Sequence, residues 1–117
     1  MDFSIALFGA AEKGDLSTLY FCRNVEELFW LLGQPPQDSE GLHHAVQILS
    51  NGYTLIYHRV QEEGVSRDDY LLGFKLLQAL PPDIPKLGAL FLPRVGFCDV
   101  IDEGVQICHR YLQSHFL

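Results

Sequence analysis

The sequence predicts an α/β fold: one domain over residues 1–117, with a mostly parallel sheet of about five strands and helices packed on both faces. Three observations predict it. Short β-rich runs alternate with amphipathic stretches in the order β-β-α-α-β-α-β-α-(β), and strands separated by helices pair in parallel through right-handed crossovers. Asn51-Gly52 stops one helix, and the Tyr/Thr/Ile/Val-rich run 53–60 follows at once as a strand. The run 87–92 is almost continuously apolar, as a central strand covered on both faces must be.

Phe3–Phe8 reads as the opening strand, Gly9–Asp15 as a polar turn bounded by glycine, and Ser17–Cys22 as a second strand rich in Leu, Tyr and Phe. Asn24 caps the first helix, with Glu27 three residues on as its capping-box partner. Val25, Leu28, Phe29 and Leu32 fall on one face of that helix, and Gly33 ends it. Pro35-Pro36 forces an extended connection before a second helix, expected to start near Asp38 or Ser39, with Leu42, Ala45, Val46 and Leu49 as its inward stripe.

The strand 53–60 places Thr54, Ile56, His58 and Val60 on one face and Tyr53, Leu55, Tyr57 and Arg59 on the other, so an interior position is expected. Ser66, with Asp69 three residues later, caps a third helix that buries Tyr70, Leu71, Phe74, Leu77 and Leu80; Pro81-Pro82 stops it. After the strand 87–92 and the turn Pro93–Gly96, Asp99 opens a fourth helix with Ile101, Val105, Cys108 and Leu112 inward. His115-Phe116-Leu117 reads as the beginning of a further strand.

Composition narrows the function. Fifteen acidic against eight basic residues give a net charge of −7, the wrong sign for gripping phosphate backbones or an anionic membrane surface. No apolar run is long enough to span a bilayer, and Met1-Asp2-Phe3 lacks the basic start of a secretory leader. Three widely spaced cysteines (Cys22, Cys98, Cys108) without a Cys-x-x-Cys pair suit a reducing cytoplasm. A 48% apolar content over 117 residues supports one real core.

No motif for chemistry stands out. Gly9-Ala-Ala-Glu-Lys-Gly14 follows a strand, but a phosphate loop needs Ser or Thr after Gly-Lys, and here Gly14 follows Lys13 and Asp15 comes next, whose carboxylate repels phosphate. A solvated turn explains it better. The turn around Arg94 lies where open α/β sheets bind ligands, so Glu12, Lys13 and Arg94 mark a candidate crevice. Asp99 and Asp102 at the following helix start favour a capping role there. His43, His44, His58, His109 and His115 lack the clustered spacing of a metal site, and His44 is expected to face solvent. Cys22 and Cys108 read as packing residues, and Asp99 opposes any activation of Cys98. No catalytic residue, cofactor or metal is expected.

Three segments taken in order resemble the contractile tail sheath family, specifically the first half of its core domain. Phe8-Gly-Ala-Ala-Glu-Lys-Gly14 is similar to the family's Gly-Pro-Ala-Glu-x-Gly turn, with Ala10 in place of proline. Val25–Gly33 resembles its short Phe-bearing helix, and Ala45-Val46, Asn51-Gly52 and His58-Arg59-Val60 resemble its helix, stop and strand end. The resemblance implies a structural module with no catalysis and no cofactor; as a departure from the family, the terminal arms by which sheath subunits exchange strands are not expected in this chain. It implies a protein partner, or a second copy, engaged through sheet edges. The expected edges are Phe3, Ile5 and Leu7 in the opening strand and His115, Phe116 and Leu117 at the other end. A small cytosolic ligand-binding protein or enzyme using the crevice near Arg94 is the alternative.

Overall fold

The opening strand lies in the middle of the sheet. In the computed structural model, which describes residues 3–34, 40–79, 86–93, 101 and 115–116, β1 (Phe3–Gly9) pairs in parallel with β3 (Thr54–Arg59) on one side and β4 (Lys86–Phe91) on the other. β2 (Leu19–Cys22) runs antiparallel along the outer side of β3, and the two-residue β5 (His115–Phe116) runs parallel to β4. The order is β2-β3-β1-β4-β5. The α/β prediction therefore holds, with two refinements. The sheet is mixed because β2 follows β1 with no crossover helix, and its fifth strand is only a bridge-length segment.

Central placement explains the composition of β1. Ile5, Ala6, Leu7 and Phe8 are all buried, because a strand paired on both sides and covered on both faces has no solvated face. The expectation that Phe3, Ile5 and Leu7 form an exposed edge is thereby overturned. Apolar content on both faces was the sign of an interior strand, and it outweighs position at the start of the chain.

The two faces carry separate cores. On one, α3 (Arg67–Gln78) lays Tyr70, Phe74 and Leu77 over Ala6, Phe8, Ile56 and Leu90. On the other, α1 (Val25–Leu32) and α2 (Gly41–Ser50) lay Leu28, Leu32, Leu42, Ala45 and Leu49 over Leu7, Leu55 and Tyr57. The alternation read along 53–60 is the alternation observed. α3 comes close enough that a Cβ built on Gly73 would stand 2.5 Å from a Phe8 ring carbon and 2.7 Å from His58 Cδ2. Only glycine fits there.

The helix boundaries follow the local signals in part. Asn24 Oδ1 accepts from the Glu27 amide at 2.8 Å, and Gly33 closes α1 at φ +82° with its N–H bonded to Phe29 O. Gly52, at φ +88°, follows the Asn51 stop. Ser66 does open α3, but its hydroxyl accepts from the Glu62 amide at 2.9 Å and caps nothing in the helix. Asp69 likewise turns back, to the Gln61 amide at 2.8 Å. The expected start of α2 at Asp38 or Ser39, and the expected fourth helix apart from Ile101, lie outside the described residues. Among the described residues no helix is long and apolar enough to cross a membrane.

Candidate functional site

The order of the parallel strands fixes where a ligand would be sought. After β1 the chain forms the edge strand β2, runs through α1 and α2 on one face to reach β3, then crosses by α3 over the opposite face to reach β4. It reverses direction around β1, and open α/β sheets bind ligands at the strand ends beside such a reversal.

That position is filled from within. Ala10 follows the end of β1, and its amide donates to Glu63 Oε2 at 2.8 Å. The same carboxylate accepts from the Gly41 amide at 3.0 Å and, through Oε1, from the Glu40 amide at 2.8 Å. Glu40 is the N-cap of α2 and makes no side-chain cap of its own. Glu63 therefore caps α2 from 22 residues away, supplying the negative charge that a helix N-terminus favours. It is only 8% exposed. Tyr57 closes the wall, its hydroxyl donating to Ala10 O at 2.8 Å. Burial, reinforced by Glu63, holds the Tyr57 phenol well above its ordinary pKa of 10, so it stays a donor. A Cβ built on Gly9 or Gly41 would meet the Tyr57 hydroxyl at 2.5 Å. Both glycines let two backbones touch over a carboxylate whose two oxygens hold three amides. This arrangement clamps a junction, with both Glu63 oxygens engaged.

Of the candidate crevice residues, Glu12 and Lys13 are not gathered there. Glu12 and Lys13 are exposed on the turn beyond β1. The Lys13 amide is tied to Leu32 O at 3.2 Å, and Glu12 lies against Gly33. Arg94 lies outside the described residues. The turn itself is anchored by the Arg59 guanidinium donating to Gly14 O and by Asp15, which accepts from the Ser17 amide and hydroxyl. Those bonds hold the Asp15 carboxyl below its usual value, as a capped solvated turn would. Among the described residues His115 and Phe116 form β5 at the end of the sheet; Leu117 lies outside them.

Sequence reasoning missed Glu63. It stands in Glu62-Glu63-Gly64, which reads as an ordinary polar turn, and capping rules look three residues ahead, not 22 back. It missed a helix-face aromatic as well, since Trp30 lies off the stripe of α1. His44 also departs from expectation: it is half-buried, its ring 4.6 Å from that of Phe91.

His58 and Cys22 are buried titratable side chains on the sheet. Burial, with Glu27 nearby, pushes the Cys22 thiol up to about 11, so it is inert at neutral pH. Among the described residues no group of three or more His, Cys, Asp and Glu side chains could hold a metal. The His58 ring is buried against Phe8 at 5.2 Å, and Nε2 donates to Asp69 O at 2.9 Å. Burial holds its pKa below 6.5, opposed by the bond to Asp69. The unfolded imidazole titrates near 6.5, so between that value and the lower folded one the unfolded chain binds more protons. The stability conferred by neutral His58 is full above the unfolded pKa and lost as pH falls through that window. Urea midpoints should therefore drop from pH 7 towards 5, and His58→Leu should flatten that slope. An equally steep slope in the variant would assign it to other groups.

Compared with known proteins, the chain matches no family model, no curated protein and no solved structure.

Proposed function

We propose that this chain is a non-catalytic protein-interaction module, akin to part of a tail sheath core domain, that accepts a partner strand along β2. The supporting observation is the sheet order: β2 is an edge, paired on one side to β3 and, among the described residues, to nothing on the other. Phe21, in the middle of β2, is 45% exposed. An edge strand presents a row of unpaired amides and carbonyls, and a second strand satisfies them while covering alternate side chains. β5 offers a shorter edge of the same kind at the other side of the sheet. The widely spaced cysteines fit a cytoplasmic setting. Glu63 counts against the crevice-ligand alternative, because it occupies the place that a ligand would take.

Light scattering over a wide concentration range, with hydrogen exchange read at Leu19–Cys22, tests the proposal. The expected result is self-association, or binding of an added strand-forming hexapeptide, that slows exchange at β2 and is lost in Phe21→Lys. A strict monomer that binds no such peptide would overturn it.

A further inference from the structure

We infer that the outward face of α1 is a docking site for a lysine- or arginine-bearing segment of a protein partner, with Trp30 as its anchor. The inference rests on reading the chain as a protein-binding module but concerns a surface separate from the β2 edge. Leu28 and Leu32 turn into the core, and Trp30 stands on the opposite side of the helix, 78% exposed. Among the described residues no large hydrophobic side chain is more exposed. It borders an open concavity of about 400 Å³ with Asn24, Glu26, Glu27 and Leu31.

Charge selects the occupant. Glu26 and Glu27 fill the first turn of α1, and its last turn holds no base. No hydrogen bond or ion pair ties the Glu26 side chain to another described residue. Glu27 Oε1 accepts from Asn24 Nδ2 at 3.3 Å and meets Arg23 only at 3.9 Å, with Arg23 83% exposed, a pair too loose and wet to neutralise its charge. An apolar partner laid on Trp30 would strip water from these carboxylates and leave them uncompensated. An acidic partner would be repelled. A cationic side chain satisfies both halves of the site: its charge lies over the indole face, and the flanking carboxylates hold it there. Arginine fits best, since its planar group stacks on the ring while its N–H groups reach an oxygen.

The chain has a single tryptophan, so its fluorescence reports this site alone. Titration with blocked tetra-arginine should give a saturable change in Trp30 emission, and tetra-glutamate none. Glu26→Gln with Glu27→Gln keeps the fluorophore and should weaken binding roughly five- to tenfold. The pair Glu12→Gln and Glu62→Gln removes the same charge elsewhere and should change it less than about twofold. Equal losses in both pairs would mean diffuse attraction to an acidic protein, and a non-saturable response would mean no site; either overturns the inference. Both results leave strand addition at β2 untouched, because that is read by exchange at Leu19–Cys22.

Discussion

Replacing Glu63 with alanine is expected to lower stability by about 3 kcal/mol or more, although the residue lies in a loop. The substitution leaves the amides of Ala10, Glu40 and Gly41 without their shared acceptor, and a buried unsatisfied donor costs about 1–3 kcal/mol, less whatever water can restore. It also removes the cap of α2, which has no local substitute. Glu63→Gln should recover part of the loss. Its one carbonyl oxygen can serve two amides, while its NH2 group faces a donor. Urea unfolding, together with exchange at Ala10 and Gly41, checks the claim. A Glu63→Ala variant within 1 kcal/mol of the parent, with those amides still protected, would mean that the clamp contributes nothing.

The second large effect belongs to the opposite face. Phe74→Ala should cost about 3–5 kcal/mol, the range for deleting a fully buried aromatic ring. Phe74 is 1% exposed, its ring lies 5.2 Å from that of Phe8, and Tyr70 and Leu77 flank it on α3. The neighbours cannot collapse into the gap, because Gly73 already brings α3 against Phe8 and His58. An unchanged urea midpoint would show that α3 packs by another face. Phe8→Ala should cost a similar amount, and the two together less than the sum, since the rings share one contact.

The sequence by itself determined the local elements and their faces. Period-2 alternation over 53–60 sorted Ile56 and Val60 from Leu55 and Tyr57, and the structure puts them in opposite cores. Asn24, Gly33 and Gly52 marked helix ends because capping depends on residues within one turn. These signals lie in neighbouring residues and survive without a fold. Strand order does not. That β1 sits in the middle and β2 at the edge follows from which faces α2 and α3 must cover, so the expected edge moved from Ile5 to Phe21.

The clamp was decided wholly by tertiary structure. Nothing near Glu63 in sequence distinguishes it from Glu62, yet one side chain is 8% exposed with three amide partners and the other lies in solvent. Its role exists only once β1 and β3 end and α2 begins at the same point, where two backbones meet at Gly9 and Gly41 and their orphan amides converge. Local periodicity records which side of an element is apolar. Convergence of donors from segments 22 and 53 residues away is a property of the assembled chain, because a hydrogen bond depends on distance in space and is indifferent to distance along the sequence.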